Sequence, residues 1–203
     1  MLLPLNFLTC ALAGLLFLIA PAVVILVYGD QWQATIPLFR ALSVSMVVQA
    51  ITISLGWIYI STGRSKAMFY AQIVSAGSFF SVFLIAVHIN LKAVAVAYSG
   101  VSIVLLLPLI WLAVRDSPFT LRGYLKIHMP LPLAATGATY LTYLLVDLGS
   151  GRLLDYLLCC LLFLGLYLVL VFIFASVSTS FRSAVVDLLK IAYTKVAQVW
   201  SIR

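Results

Sequence analysis

The polar side chains most able to bind a ligand lie along one segment of the chain, residues 36–61. Ser45, Gln49, Thr52 and Gly56 fall within about 60° of arc if the segment is helical, so they share one face. An amide and two hydroxyls on one face can exchange hydrogen bonds with the hydroxyls of a sugar. Small polar residues are equally typical of close contact between two helices, so both interpretations stay open at this point.

A second polar stripe follows the opposite side of the same segment, and its charged member is Arg40. Ser43, Ser54 and Ser61 continue this stripe within about 60° of arc. Arg40 could attract an anionic headgroup or a diphosphate, but we favour a guanidinium that extends toward water beside small packing residues. Because the two stripes point apart, one helix can hardly present both of them to a single ligand.

Gln72 is a further candidate for a binding cavity. It lies one helical turn before Ser75, in a segment where Gly77 and Ser78 favour contact between helices over ligand binding. The predicted cavity residues are therefore Ser45, Gln49, Thr52, Arg40 and Gln72.

No catalytic group of residues accompanies these side chains in the sequence. The acidic residues are five aspartates without a glutamate, and His88 and His128 are predicted at opposite ends of the fold. The sequence has no glycine-rich phosphate loop, nucleophile elbow or zinc-ligand spacing, and its three cysteines lie in apolar segments. We therefore predict no catalytic residue, cofactor or metal, and we expect that the chain is not an enzyme.

Six apolar segments must position the candidate side chains, and each has about the 20 residues that cross a ~30 Å hydrocarbon core. They cover residues 3–28, 36–61, 67–88, 93–114, 127–146 and 153–175. The chain is 65% hydrophobic and 8% charged, which excludes an ordinary soluble domain because surface helices need a polar face. We predict an all-α fold, a polytopic membrane helix bundle of about six transmembrane helices.

Loop lengths divide the predicted bundle into three parts. Short connections make the first four helices antiparallel neighbours within residues 1–115. A longer charged inner loop then precedes an extra transmembrane helix pair, and the two together occupy residues 116–177. Residues 178–203 are predicted as a cytoplasmic amphipathic helix, whose apolar face suits a membrane surface better than a soluble partner.

The basic residues predict an orientation in the membrane. With the N-terminus in the cytoplasm, the inner loops and the tail receive nine of the 12 basic residues, and the outer side receives Arg40, Lys92 and Arg152. Basic residues accumulate on the cytoplasmic side, so we expect both termini there. We attribute the net charge of +7 to the basic cytoplasmic loops rather than to nucleic-acid binding, because the chain offers no soluble basic face.

The order of several short motifs is similar to that of one known family. The motifs are Ala20-Pro21-Ala22-Val23, Tyr28-Gly29-Asp30-Gln31-Trp32, Ile36-Pro37-Leu38, Thr62-Gly63-Arg64 and Ala93-Val94-Ala95-Val96-Ala97. In this order and spacing, residues 4–115 resemble the C-terminal half of bacterial oligosaccharide flippases, the Wzx-like polysaccharide exporters of the MOP superfamily. The last two spans fit by number and position, and Lys92 and Ala93 stand where the family often has glycine.

The resemblance implies a transporter in which two six-helix lobes open a central cavity alternately to each side of the bacterial inner membrane. The substrate would be a lipid-linked oligosaccharide, an undecaprenyl-diphosphate-linked repeat unit destined for the O-antigen of lipopolysaccharide, capsule or exopolysaccharide. No bond is made or broken, and no cofactor is implied. Matched to such a protein, the chain covers spans nine to fourteen, so we expect a fragment that lacks the N-terminal lobe and is inactive alone.

Three other functions remain open. Another MOP-superfamily transporter, such as a drug/ion antiporter, would need membrane-embedded carboxylates, which these segments hardly supply. A polytopic membrane enzyme of polysaccharide assembly would need a large outer loop with catalytic arginine or histidine, whereas the outer loops here are short. A non-transporting membrane scaffold is opposed only by the polar residues of the second segment.

Overall fold

The long apolar segments fold into helices, because a backbone in lipid must satisfy its own hydrogen bonds. The computed structural model of the chain describes residues 2–118, 120–146, 153–179, 181–183 and 185–186. In chain order the elements are α1 (Leu2–Tyr28), a 3-10 helix (Asp30–Thr35), α2 (Ile36–Ser61), α3 (Ser65–Val87), α4 (Leu91–Val114), α5 (Leu121–His128), α6 (Pro130–Leu145) and α7 (Leu153–Val177). These residues contain no strand, which confirms the predicted all-α fold.

Five described helices are long and apolar enough to cross a membrane: α1, α2 with the preceding 3-10 helix, α3, α4 and α7. Their lengths match the apolar segments read from the sequence, and many of their large hydrophobic side chains are exposed on the bundle surface. Such a surface is stable in lipid and unfavourable in water. By helix length and composition, the fold is therefore compatible with a multi-pass membrane protein.

The predicted span at residues 127–146 has a different form in the structure. A short helix, α5, ends at His128, and α6 begins at Pro130 and contains 16 residues. At 1.5 Å per residue α6 extends about 24 Å, less than the ~30 Å hydrocarbon core. Pro130 and Pro132 have no backbone N–H to donate to the preceding turn, which explains the break between the two helices. The count of six spans is not confirmed and stays a prediction.

Tight reversals join the first four helices. Gly29 (φ 88°) ends α1 and Gly63 (φ 67°) lies between α2 and α3, and both have the left-handed backbone that glycine adopts most readily. Between α3 and α4, the Asn90 side chain accepts a hydrogen bond from the backbone N–H of Ala93 at 2.7 Å and caps α4. We call the end of the bundle that carries the 3-10 helix the Trp32 end, and the opposite end, with the α2–α3 turn, the Arg64 end.

The order of neighbours differs in one respect from the predicted sequential packing. Helix α1 packs on α2, and α3 packs on α4, as expected, but α2 packs against α1 and α4 to a similar extent and only slightly on α3. Small buried residues on α4 permit this close approach, and the hydroxyl of Ser99 donates to the carbonyl of Ala41 at 2.6 Å. Helix α4 thus places its polar side chains against those of α2.

Arg64 holds the α2–α3 turn against the C-terminus of α4. Its guanidinium donates to the carbonyl of Ala113 at 3.0 Å and to a carboxylate oxygen of Asp116 at 2.9 Å. Its carbon also lies 5.6 Å from the ring centroid of Tyr59. Because the last carbonyls of a helix have no intrahelical donor and carry partial negative charge, a cation at this position satisfies and stabilises the end of α4.

Helix α1 also packs against α6 and α7, around a core that includes Leu18, Phe163 and Tyr167. A Cβ at Gly14 would lie 2.5 Å from the Cζ of Phe163 and 2.8 Å from the hydroxyl of Thr139, so the three helices meet where α1 has no side chain. Helices α6 and α7 therefore pack against α1. The division of the chain after residue 115 stays a prediction.

Only a few residues of the predicted amphipathic tail are described. Phe181 is fully buried in the core of α1, α6 and α7, and Val185 packs partly against the same core. These two positions therefore contact protein rather than a lipid surface. Most of the predicted tail, from residue 187 onward, and the predicted turn at residues 147–152 lie outside the described residues.

Candidate functional site

A cavity of about 260 Å³ lies between α2, α3 and α4, and polar side chains from all three helices line it. These side chains are Gln49, Thr52, Gln72, Ser75, Tyr98 and Ser102. The cavity lies beside the middle of α2, in segments long and apolar enough to span a membrane. Uncharged hydrogen-bonding groups at this depth face protein or a polar cavity rather than lipid, which has no partners to offer them.

The wall formed by α2 is built around Gln49. Its amide nitrogen donates to the hydroxyl of Tyr98 at 2.9 Å, and its carbonyl oxygen has no partner among the described residues. One turn further, the hydroxyl of Thr52 donates to the backbone carbonyl of Gln49 at 3.0 Å. The Thr52 oxygen can still accept a hydrogen bond, so this wall offers both an amide and a hydroxyl to a ligand.

Helix α3 contributes Gln72 and Ser75, which lie one turn apart on the cavity side. Gln72 is exposed and its amide makes no hydrogen bond within the described part of the chain. Ser75 donates to the carbonyl of Ala71 at 2.8 Å and keeps its acceptor capacity. Gln72 therefore brings two donors and one acceptor group to the cavity without an internal partner.

On α4, aromatic packing fixes the position of the Tyr98 hydroxyl. The Tyr98 ring lies 5.9 Å from that of Phe83 in a stacked arrangement and 5.1 Å from that of Phe79. Such ring pairs are worth about 0.5–1.5 kcal/mol beyond the area that they bury. Ser102 donates to the carbonyl of Tyr98 at 2.8 Å, one turn deeper on the same face. The rings also place apolar faces beside the amides of the cavity.

The cavity lining is uncharged throughout. Its chemistry is limited to the exchange of hydrogen bonds and to contact with aromatic and aliphatic faces. Glutamine amides donate and accept at once, which suits a ligand rich in hydroxyl groups. Among the residues that the structure describes, no three histidine, cysteine or acidic side chains lie close enough to hold a metal ion.

The structure brings three of the sequence-predicted residues together and separates two. Gln49, Thr52 and Gln72 line the same cavity. Ser45 does not line it, because its side chain is buried and donates to the carbonyl of Leu42 at 2.7 Å. Arg40 lies on the opposite side of α2, in a different cavity between α1, α2 and α6.

Sequence analysis did not select the residues of α4 that complete the site. Tyr98, Ser102, Leu105 and Leu109 all line the cavity and recur at the three- and four-residue spacing of one helical face. This spacing was available in the sequence. It could not show, however, that this face of α4 meets the Gln49 side of α2.

Comparisons with known proteins give no further information about the site. No protein-family model, no curated protein and no solved structure matches this chain.

Proposed function

We propose that this chain is part of a membrane transporter that flips lipid-linked oligosaccharide across the bacterial inner membrane. The proposal rests on the motif order that resembles Wzx-like polysaccharide exporters, on the multi-pass helical fold and on the uncharged polar cavity. The substrate is a repeat unit linked to undecaprenyl diphosphate, for O-antigen, capsule or exopolysaccharide biosynthesis. Both termini are cytoplasmic in this proposal.

The cavity of Gln49, Thr52, Gln72 and Tyr98 is the observation that carries the proposal. A sugar presents several hydroxyls that both donate and accept, and amides and hydroxyls are its natural partners. The apolar face of a sugar ring can also rest against Phe79, which lines the cavity beside Tyr98. No carboxylate lines this cavity. An antiporter needs such a group to bind its coupling ion, so the cavity favours binding of a neutral glycan over ion-coupled antiport.

The mechanism in this proposal is a rocking motion of two lobes, and no covalent bond changes. The cavity side chains bind sugar hydroxyls while one side of the membrane is open, and they release them after the lobes have moved. Several weak hydrogen bonds of about 1 kcal/mol each serve this purpose, because release must stay rapid. The resemblance implies an N-terminal lobe that supplies the opposite wall, so this chain alone is expected to be inactive.

A scaffold function is the second candidate, and one specific contact favours it. The hydrogen bond between Gln49 and Tyr98 joins α2 to α4, as a purely structural contact would. Interhelical hydrogen bonds in membranes are worth about 0.6 kcal/mol on average. Under this hypothesis the hydrogen bond stabilises the bundle and contacts no substrate.

Replacing Gln49 with leucine in the intact transporter separates these functions. We expect the amount of surface polysaccharide to fall about fivefold, which corresponds to about 1 kcal/mol of lost ligand interaction. Gln33→Leu is the matched control, because Gln33 is an exposed amide in the 3-10 helix, and it should leave export unchanged. Surface polysaccharide is measured by immunoblot at equal transporter abundance.

Tyr98→Phe tests the structural alternative. This change removes the hydroxyl that Gln49 contacts but keeps the ring packing and leaves the Gln49 amide available to a ligand. The transport function predicts some loss of export for Tyr98→Phe, which removes one cavity hydroxyl, and a larger loss for Gln49→Leu, which removes an amide that both donates and accepts. Equal losses in the two variants, with equal decreases in thermal stability, would favour the scaffold. Unchanged export in Gln49→Leu would remove Gln49 from the site.

A further inference from the structure

A larger cleft of about 600 Å³ lies on the other side of α2, between α1, α2 and α6. Its walls are mainly aliphatic and aromatic, with Val44 and Val47 from α2 and Tyr143 from α6 among them. Arg40 is the one charged residue that lines it. The cleft differs in chemistry from the cavity of Gln49, which has polar and uncharged side chains from three helices in its lining.

The guanidinium of Arg40 lies beside a backbone carbonyl and two aromatic rings in the cleft. Its Nε donates to the carbonyl of Phe17 at 3.3 Å, and its carbon lies 5.5 Å and 5.9 Å from the ring centroids of Phe17 and Tyr143. Within the described parts of the chain, no carboxylate lies within 4 Å of it. A guanidinium has five N–H donors, and charge at membrane depth is unfavourable unless it is paired.

The cleft is charged near the Trp32 end of the bundle and apolar further toward the middle of the helices. On α2, Arg40 lies near the Trp32 end, and Val44 and Val47 follow toward the middle of the helix, so Val47 is about 10 Å deeper at 1.5 Å per residue. On α6, Thr136 is also about 10 Å deeper than Tyr143. A phospholipid in the leaflet at this end has the same arrangement, with its phosphate at the interface and its acyl chain toward the bilayer centre.

We propose that this cleft binds one anionic phospholipid, with its phosphate on Arg40 and an acyl chain along Val44 and Val47. Four of the five N–H donors of Arg40 have no partner among the described residues, and the planar fork of arginine matches the oxygens of a phosphate. The positive charge of Arg40 favours a lipid with net negative charge over a zwitterionic lipid. The inference does not depend on the oligosaccharide proposal, because the two ligands would occupy opposite sides of α2.

Native mass spectrometry of the purified 203-residue chain tests this site directly. The chain is exchanged into mixed phosphatidylglycerol and phosphatidylcholine, and the retained lipids are counted. We expect one phosphatidylglycerol per chain, and at least a fivefold lower retention in Arg40→Gln. Lys92→Gln is the matched control, because Lys92 is an exposed cation at the same end of the bundle, and it should retain the lipid.

A second variant keeps the charge and fills the cleft. Thr136 is exposed and lines the deeper part, so Thr136→Trp should reduce retention at least threefold while Arg40 is intact. Circular dichroism verifies the helical content of each variant. Equal retention of the two lipids by the unaltered chain, or full retention in Thr136→Trp, would overturn the proposal. An equal loss in Arg40→Gln and Lys92→Gln would also overturn it, because it would indicate general surface charge.

Discussion

Replacing Gly14 with leucine should separate α1 from α6 and α7. Even one methyl group at this position would meet the ring of Phe163 at 2.5 Å and the hydroxyl of Thr139 at 2.8 Å. Phe163 is fully buried and stacks on Tyr167 at a centroid distance of 5.9 Å, so its ring has little room to move away. Overpacking of a core costs about 1–3 kcal/mol for small additions, and leucine should exceed this range.

The rate of thiol labelling measures this separation. Cys10 on α1 and Cys159 on α7 are both fully buried in the same core, so a membrane-permeant maleimide reaches them only after the helices part. Gly14→Leu should label these two thiols several times faster than the unaltered chain does. Gly100→Leu is the matched control, because nothing lies within 4 Å of a Cβ at Gly100, and its labelling should stay slow. Equal labelling in Gly14→Leu and the unaltered chain would contradict this packing.

Replacing Arg64 with alanine should loosen the Arg64 end of the bundle. The change removes charge-assisted hydrogen bonds to the carbonyl of Ala113 in the last turn of α4 and to Asp116 just beyond it, and we expect the free energy of unfolding to fall by about 2 kcal/mol. Most of this comes from the carbonyl of Ala113, because Asp116 is more than half exposed and an exposed ion pair contributes about 0–1 kcal/mol. Arg64→Lys should recover only part of the loss, since an ammonium cannot reproduce the planar fork.

Hydrogen exchange locates the effect of the Arg64 substitution. Peptides that cover residues 59–66 and 109–118 should exchange faster in Arg64→Ala, and the middle of α1 should not change. Arg115→Ala is the control, because Arg115 is exposed and its contact with Asp116 is 3.5 Å long, so it should shift stability by less than about 0.5 kcal/mol. Equal effects of the two alanine variants would contradict the stabilising role assigned to the contacts of Arg64.

The helices were predictable from the sequence because a long apolar segment in a membrane folds as a helix, and its length gives the length of that helix. The segment 36–61 coincides with α2, and the segment 3–28 differs from α1 by one residue. The exception is residues 115–126, where sequence analysis gave only a charged loop. There, Thr120 accepts a hydrogen bond from the N–H of Gly123 and starts α5, and the Tyr124 hydroxyl donates to the carbonyl of Ile51. A polar helix start and a buried tyrosine leave little trace in hydropathy.

The neighbours of each helix were less predictable than the helices themselves. A helix that is apolar on every side carries no signal for the face that meets protein, since lipid and protein interior accept the same side chains. The polar stripe of Gln49 and Thr52 was an exception, and it does face a cavity. The same stripe included Ser45, which is buried, because an angle on one helix does not reveal how closely another helix covers it.

Photo-crosslinking from position 79 tests most directly whether the cavity of Gln49, Thr52, Gln72 and Tyr98 contacts a glycan. Phe79 lines this cavity, whereas the adjacent Phe80 is 65% exposed and does not. A benzophenone amino acid is placed at either position of the proposed transporter, in cells that make a lipid-linked oligosaccharide, and adducts are detected with a lectin after irradiation. We predict a glycan adduct from position 79 and none from position 80. No adduct from position 79, or equal adducts from the two positions, would contradict the proposed function.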